Sequence, residues 1–258
     1  MRMDNIRRNW TREETILAFE LYCIIPNGQD TTFNEHIISL AKAISRTPNS
    51  VKLKLQNFKA YDPSYISDGR VGLSHGSKLD QDVCAEFINS WDALVAEIAE
   101  IKKLFGVANN EAEENYTEFE MPIGGEKVRA QKSRIGQAFF RRAILSSYNG
   151  KCCITGIDNP ALLRASHIKP WSKSNDINEK TNPQNGVLLN ALHDVAFDKG
   201  LLTISLDYRI IISSKLMDTD DPNKLFFWNY NGKQISKPTR FLPSKEFIEY
   251  HNDVVFIK

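Results

Sequence analysis

Two histidines, an asparagine and two aspartates in the second half of the sequence are the side chains best suited to chemistry. They are His167, Asn185, His193, Asp194 and Asp198. A histidine titrates near neutral pH and can therefore accept a proton under physiological conditions. Asp194 and Asp198 are four residues apart, so on a helix they share one face and can both approach a hard cation such as Mg²⁺ or Mn²⁺. The set suits a reaction that needs a base and a divalent cation together.

The surrounding residues predict the elements that hold this set. The extended stretch 161–171 contains His167, a polar loop follows, and a short strand begins at Asn185. The next segment is predicted to be a helix, ended by Lys199-Gly200, that carries His193, Asp194 and Asp198. Upstream, residues 131–148 have the pattern of an amphipathic helix with a basic flank. Strand, loop, strand and helix in this order are typical of a ββα-metal site.

Three stretches carry a resemblance to a known family. The segments "GQAFFRRAILSSYNGKCCITG", "RASHIKPW" and "NPQNGVLLNALHDVAFDKGLLTIS" resemble the HNH endonucleases, in particular those of restriction and phage-defence systems. The match covers residues 131–204, and the ending "FIEYHNDVVF" is also similar to the tail of such proteins. The resemblance implies a ββα-metal fold that hydrolyses phosphodiester bonds in DNA and leaves 5′-phosphate and 3′-hydroxyl ends.

The resemblance also implies roles for single residues. His167 corresponds to the general base, and Asn185 to the asparagine that pins the loop between the strands and orients the base. Asp194 and Asp198 are expected to bind a single Mg²⁺ or Mn²⁺ ion, with His193 as a further candidate for metal binding and catalysis. The DNA phosphates are expected to meet two basic residues beside the motif, Arg164 and Lys169.

The sequence departs from the family pattern in two places. Ser166 stands where many HNH sites have an aspartate or histidine that binds the metal. Asn190 and His193 stand where many relatives have cysteines that bind a structural zinc, so no structural zinc is expected. The four cysteines are predicted to be reduced core thiols. Because of Ser166, a catalytically impaired DNA-binding regulator is the alternative to an active nuclease.

The N-terminal part is predicted to be helical. Thr11-Arg12-Glu13-Glu14 has the capping-box pattern that begins a helix over residues 11–25. A second helix is expected around residues 37–44 and a third after Thr47-Pro48, which makes a helix-turn-helix or Myb-like module. Residues 61–80 are predicted to be a loop and residues 83–104 a fourth helix. The segments "WTREE" and "RTPNSV" also resemble a domain that is often fused ahead of HNH modules in bacterial proteins.

The third helix has residue types that read DNA. Residues 36–61 contain five basic side chains and no acidic one. If the apolar side chains of the third helix face inward, asparagine, lysine and glutamine face outward, and these types contact bases and phosphates. The predicted DNA-binding residues here are Arg46, Asn49, Lys52, Leu53 and Gln56. The alternative is an ordinary three-helix bundle whose polar face is merely solvated.

Composition and charge indicate how the chain is divided into domains. The 258 residues have a net charge of +1, yet residues 109–120 carry five glutamates and no basic residue, whereas residues 121–258 carry 20 basic and 13 acidic residues. We therefore expect an α+β protein with a helical DNA-recognition domain at 1–106, an acidic linker at 107–130 and an HNH nuclease domain at 131–258. No apolar stretch approaches the roughly 18 residues of a membrane helix and residues 1–10 are too charged for a secretory leader, so a cytoplasmic location without membrane contact is expected.

The expected partner is double-stranded DNA, with modified DNA among the candidate substrates. Cutting both strands with one-site nucleases implies two active sites, so a homodimer is expected.

Overall fold

The fold was obtained as a computed structural model that describes residues 8–67, 69, 76–106, 127–216 and 221–258. The N-terminal part contains the helices α1 (Arg12–Ile24), α2 (Glu35–Ala43), α3 (Pro48–Phe58), α4 (Pro63–Ser67), α5 (Lys78–Ile88) and α6 (Trp91–Leu104). The C-terminal part contains α7 (Lys127–Ser147), β1 (Leu163–His167), β2 (Gly186–Asn190), α8 (Ala191–Asp198), β3 (Leu202–Ile204), β4 (Ile210–Ile212), α9 (Asp221–Phe226) and α10 (Lys245–Tyr250). A π-helical turn, His251–Val255, follows α10. The α+β fold class is confirmed.

The starts of the first three helices are fixed by their caps, and those at Thr11 and Thr47 were predicted from the sequence. The Thr11 hydroxyl accepts a hydrogen bond from the Glu14 backbone N–H, and the Glu14 carboxylate accepts one from the Thr11 N–H, which completes the capping box. The side-chain oxygens of Asn34 and Thr47 cap α2 and α3 by accepting hydrogen bonds from backbone N–H groups of the first turn. Between α2 and α3 the chain turns within four residues, so the helical N-terminal region has the predicted spacing.

The predicted fourth helix over residues 83–104 was wrong, as was the prediction that residues 61–80 are entirely loop. The described part of 61–80 includes α4, and α5 already begins at Lys78 because Ser77 and Asp80 form a second capping box. The chain breaks at residues 89–90 and restarts as α6. Two helices therefore replace one long helix, and both bury an aromatic side chain, Phe87 of α5 and Trp91 of α6, in the same core.

Helix α7 packs against both halves of the protein. Phe139 and Ala143 join the core of the N-terminal helices, where the Phe139 ring lies 6.2 Å from that of Trp91. Phe140 and Ile144, on another face of α7, belong to the core of the C-terminal region. The division of the chain at an acidic linker stays a prediction, since residues 107–126 lie outside the described residues.

The two strands β1 and β2 form an antiparallel hairpin between α7 and α8. Its register pairs Leu163 with Asn190 and His167 with Gly186. Gly186 has no room for a side chain, because a Cβ atom there would lie 2.6 Å from both Phe140 and Ile144 of α7. Helix α8 follows β2 directly, and Asn190 ends the strand and caps the helix by accepting a hydrogen bond from the His193 N–H (3.0 Å).

The remaining strands, β3 and β4, form a second antiparallel hairpin, and the C-terminal turn holds the end of α8. The backbone N–H of Ile257 donates to the Gly200 carbonyl at 2.9 Å, and the buried His251 ring stacks on Phe197 at 3.9 Å between centroids. None of the helices in the described ranges is long and apolar enough to span a membrane.

Candidate active site

The loop between β1 and β2 is pinned by a single buried side chain, Asn185. Its Oδ1 accepts a hydrogen bond from the Lys169 backbone N–H at 2.8 Å. Its Nδ2 donates toward the carbonyls of Lys169 (3.2 Å) and Glu179 (3.1 Å) and the hydroxyl of Ser174 (3.2 Å). Asn185 therefore ties the start, middle and end of this loop together. This geometry supports the positioning role predicted for it.

His167 lies at the end of β1, half-buried between aromatic rings. Its ring stacks on Phe140 at 3.8 Å and meets the edge of Trp171 at 5.4 Å. Its Nε2 lies 2.9 Å from the backbone carbonyl oxygen of Lys180. Because a carbonyl only accepts hydrogen bonds, Nε2 carries the proton and Nδ1 keeps its lone pair. Burial lowers the pKa of His167 to about 4, against the opposing effect of the Lys180 hydrogen bond, so the ring is neutral at physiological pH.

Asp194 and Asp198 lie one turn apart on α8 and form a carboxylate pair. The hydroxyl of Ser166 on β1 donates a short hydrogen bond to Asp194. Burial raises the pKa of Asp194, and the Ser166 hydrogen bond opposes this. Partial burial and the negative charge of Asp194 together raise the pKa of Asp198 to about 6. The two carboxylates repel each other, and a divalent cation between them would relieve that repulsion.

The two carboxylates of this pair fit a hard cation such as Mg²⁺ or Mn²⁺ better than zinc, which is usually bound by histidine and cysteine. Among the described residues, no three histidine, cysteine, aspartate or glutamate side chains converge as a ligand set. Mg²⁺ is commonly bound through only one or two carboxylates, with water and substrate phosphate oxygens as its other ligands. Asp194 and Asp198 meet that requirement.

His167 and the carboxylates lie on different sides of β1. Successive side chains of a strand point to opposite faces, so Ser166 faces Asp194 on α8 and His167 faces Phe140 on α7. The structure thus brings Asp194, Asp198 and Ser166 together, and it places His167 on the opposite face at the end of the same strand.

His193 is not brought to the carboxylate pair. It is 2% exposed, and both ring nitrogens are used: Nε2 lies 2.7 Å from the Phe226 carbonyl oxygen and Nδ1 lies 3.0 Å from the Asn190 amide. The same Asn190 amide also lies 3.2 Å from Thr155 Oγ1 and 3.7 Å from Cys152 Sγ. Asn190 and His193, which stand where many HNH relatives have zinc-binding cysteines, are therefore hydrogen-bonded to each other. His193 belongs to this buried cluster and not to the carboxylate pair.

The comparison with family models agrees with this geometry. Residues 152–205 match the model described as HNH endonuclease. This segment is an HNH domain. It contains His167, Asn185 and both members of the carboxylate pair. HNH domains are found in nucleases, which generally act on nucleic acid with a divalent metal ion. No curated protein sequence matches the chain significantly.

Two basic residues lie near the carboxylates of the HNH domain. The positive charge of Arg164 acts on Asp194, and the guanidinium also donates to the carbonyls of Ala161 (3.2 Å) and Leu163 (3.0 Å). The exposed Lys199 acts on Asp198. Lys199 was predicted only to end the helix, although its position directly after Asp198 also indicated a basic side chain near the carboxylates.

Lys169, which was predicted to contact phosphate, is engaged within the protein. Its ammonium group pairs with both carboxylate oxygens of Glu179 at 2.7 and 2.9 Å. Glu179 also accepts a hydrogen bond from the Asn175 backbone N–H at 2.8 Å. The structure thus places Lys169 in the framework of the loop.

The helical region presents four of the five predicted DNA-binding side chains together. Asn49 is exposed on α3, Lys52 and Gln56 are half-buried, and Leu53 is 46% exposed. Arg46 is directed inward instead: its guanidinium bonds to Glu14 (2.7 Å) and stacks over the Trp10 ring at 4.2 Å.

Other basic side chains of residues 36–61 are also paired inside the fold. Lys54 forms a buried ion pair with Asp80, and Lys59 pairs with Asp30 at 2.8 Å. The sequence showed no acidic residue in this stretch, but folding brings acids from three other segments to it. The basic surface of the module is therefore smaller than the sequence count implied.

Proposed function

We propose that the protein is a metal-dependent DNA endonuclease that hydrolyses phosphodiester bonds. The observation that supports this proposal is that the end of β1 presents a neutral histidine with an available Nδ1, while Ser166, the preceding residue of the same strand, contacts Asp194 of the carboxylate pair. Among the described residues, His167 Nδ1 has no hydrogen-bond partner. A strand, a pinned loop and a helix hold these groups, so the site is built before substrate arrives.

Each residue of the site has its own role in the proposed reaction. His167 Nδ1 takes a proton from the attacking water, while the Lys180 carbonyl holds the Nε2–H and stabilises the ring as it becomes charged. Asn185 keeps the loop, and hence that carbonyl, in place. Asp194 and Asp198 would hold Mg²⁺ or Mn²⁺, which supplies charge neutralisation at the phosphate and the leaving 3′-oxygen. Arg164 and Lys199 attract the phosphate backbone, and the products are 5′-phosphate and 3′-hydroxyl ends.

The substrate of this proposal is double-stranded DNA, bound through the outer face of α3, in a restriction or phage-defence role with modified DNA among the targets. The exposed Asn49 and Leu53 and the half-buried Lys52 and Gln56 support a contact in the DNA groove. Plasmid DNA from modifying and non-modifying hosts, incubated with the protein and Mg²⁺ or Mn²⁺, tests this role. Preference for one source supports it, and equal cleavage of both contradicts dependence on modification.

The decisive test of the activity compares wild type, His167→Ala and His36→Ala in a plasmid-nicking assay with and without EDTA. His36 is an exposed histidine on α2 and serves as the matched control. We expect cleavage by wild type and His36→Ala, none by His167→Ala, and none in EDTA. DNA binding should survive in all three. Cleavage by His167→Ala at the wild-type rate would refute the assigned base.

A DNA-binding regulator without nuclease activity is the second candidate, and one observation favours it. Ser166 occupies the position where many HNH proteins carry a metal ligand, and in the structure its hydroxyl bonds to Asp194. A site with two carboxylates has lower cation affinity than one with three ligands. Salt-dependent DNA binding without cleavage at any Mg²⁺ or Mn²⁺ concentration would support this alternative.

A further inference from the structure

The chain turns at the end of α8 directly around Asp198. The Gly200 backbone N–H donates to the Phe197 carbonyl at 2.9 Å, and Gly200 has the left-handed backbone (φ 69°) that commonly ends a helix. Within this turn the side chains of Asp198 and Lys199 are exposed, whereas Phe197 and Gly200 are buried. The position of the Asp198 carboxylate therefore depends on how the two buried residues on either side are held.

His251, in the π-helical turn after α10, holds the first of these residues. Its Nε2 lies 3.2 Å from the Phe197 carbonyl oxygen, which only accepts hydrogen bonds, so Nε2 carries the proton. Its ring stacks on the Phe197 ring at 3.9 Å between centroids. Its Nδ1 lies 2.7 Å from the hydroxyl of Thr203 on β3, which fixes the orientation of the ring. A hydrogen bond and a ring stack therefore join this buried histidine to the residue directly before Asp198.

The end of the same segment holds Gly200. The Ile257 N–H donates to the Gly200 carbonyl at 2.9 Å. A Cβ atom on Gly200 would overlap the Val255 carbonyl oxygen, so the two backbones are in direct contact. The Phe256 N–H donates to the His251 carbonyl at 2.8 Å, which closes the segment on itself. One short piece of chain therefore contacts the turn at both of its ends.

We propose that His251 is a positioning residue for the carboxylate pair, with residues 251–257 as the support of the cation site. The Phe197 carbonyl and the Asp198 N–H belong to one peptide plane, so rotation of this carbonyl moves the Asp198 backbone. This support lies outside residues 152–205, the part of the chain that matches the HNH endonuclease model. The inference rests on the proposed function, because that function makes the carboxylate pair the ligands of the cation.

His251→Phe and His251→Gln separate the hydrogen bond from the ring contact. Phenylalanine keeps a ring that can stack on Phe197 but has no N–H, whereas the glutamine amide can still donate to the Phe197 carbonyl. In His251→Phe the Thr203 hydroxyl keeps the side-chain oxygen of Asn252 at 2.6 Å as its partner. Val83→Ala, in the buried core of the N-terminal helices, is the control for a loss of stability away from the site.

The first readout is Mn²⁺ binding to the DNA-free protein, measured by electron paramagnetic resonance of the unbound ion. Replacement of a group that holds a metal ligand from outside commonly weakens metal binding by about 10- to 100-fold. We therefore expect His251→Phe to bind Mn²⁺ at least about tenfold more weakly than wild type, and His251→Gln and Val83→Ala to stay within about threefold. Wild-type affinity in His251→Phe would overturn the proposal. An equal loss in His251→Gln or in Val83→Ala would also overturn it.

The second readout is the Mg²⁺ dependence of plasmid cleavage. In His251→Phe the half-saturating Mg²⁺ concentration should rise by about tenfold or more. The rate at saturating Mg²⁺ should stay close to that of wild type, because excess cation refills a weakened site. A lower rate at every Mg²⁺ concentration with unchanged half-saturation would indicate a general structural role and contradict the proposal.

If His251→Phe does not fold, Ile257→Pro tests the other contact. Proline lacks the N–H that Gly200 accepts, and the extended backbone of Phe256 (φ −67°, ψ 130°) suits a residue before proline. Ile257→Ala keeps the N–H and is the matched control. Weaker Mn²⁺ binding in Ile257→Pro than in Ile257→Ala supports the proposal, and equal binding in the two variants overturns it.

The failures of the two proposals are distinguishable. If wild type binds no Mn²⁺, the cation site is wrong and its support is overturned with it. If wild type binds Mn²⁺ but does not cleave DNA, the nuclease activity is lost, yet Mn²⁺ binding by His251→Phe still reports whether His251 positions the carboxylates. If wild type binds and cleaves and His251→Phe matches it in both readouts, only the positioning role is lost.

Discussion

The hydroxyl of Ser166 donates a hydrogen bond to the carboxylate of Asp194, across the contact between β1 and α8. The serine stands where many HNH sites have a metal ligand, and it orients one of the two carboxylates that are proposed to bind the cation. A neutral donor lowers the cost of the negative charge on Asp194, whereas an aspartate in this place would add to the repulsion. The site can thus keep two neighbouring carboxylates, one half-buried and one exposed, without a third negative charge.

Ser166→Asp is expected to strengthen cation binding. Three carboxylates attract Mn²⁺ more than two do, but without metal they repel one another in a site where residue 166 is 3% exposed. The metal-free variant should therefore unfold at a lower temperature than wild type, and its melting temperature should rise more steeply with Mn²⁺ concentration. Differential scanning fluorimetry measures both effects, with Ser214→Asp at an exposed serine as control. Equal metal dependence in Ser166→Asp and wild type would show that Asp194 does not bind the cation.

The acidic limit of cleavage is expected to follow Asp198. Its raised pKa of about 6 means that the carboxyl is protonated below pH 6, while His167, with a pKa of about 4, stays neutral throughout this range. Cation affinity and cleavage should therefore rise as the pH increases through 6 and level off above 7. Because the cation competes with the proton, a tenfold higher Mg²⁺ concentration should move the limit to lower pH. A limit that does not move with Mg²⁺ concentration would point to a histidine instead.

The sequence was sufficient to predict the parts of the fold that depend on residues close together in the chain. The caps at Thr11 and Thr47 depend on residues three positions apart, and α8 follows from the spacing of its own side chains. The role of Asn185 came from the family resemblance, and the contacts of its side chain are consistent with it.

The groups that the sequence did not reveal depend on distant or backbone partners. The acceptor for His167 is a main-chain carbonyl, which any residue type at position 180 would supply. The inward direction of Arg46 depends on Glu14, 32 residues away, and the buried ion pair of Lys54 depends on Asp80. Charge counted along a segment overlooks such pairs, because folding brings the acids from other segments. His193 stayed among the candidate metal ligands for the same reason, since the Phe226 carbonyl that lies against its Nε2 is 33 residues away.

Replacement of Asn185 is expected to lower both stability and activity. Asn185→Ala leaves the buried Lys169 N–H and the Glu179 carbonyl without a partner, which costs about 2–4 kcal/mol of the free energy of unfolding. Asn185→Asp keeps the acceptor but turns an oxygen toward three other oxygens, so it should be at least as unstable as Asn185→Ala. Urea denaturation measures the loss, with the exposed Asn229→Ala as control. If Asn185→Asp is as stable as wild type, the amide does not pin the loop.

Lys52→Ala and Arg46→Ala are expected to affect different properties, although both residues were predicted to bind DNA. Lys52 is half-buried on the outer face of α3, so its loss should weaken DNA binding and reduce the slope of log K against log salt concentration by about one. Arg46 supports the buried Glu14, and its removal should cost about 2 kcal/mol of stability, less than for an isolated buried pair because Arg8 also contacts Glu14 at 2.5 Å. Fluorescence anisotropy at several salt concentrations measures DNA binding, and urea denaturation measures stability. The exposed Lys245→Ala serves as control for both. An unchanged salt slope in Lys52→Ala would remove α3 from the DNA interface, and a wild-type denaturation curve for Arg46→Ala would return Arg46 to the candidates for DNA contact.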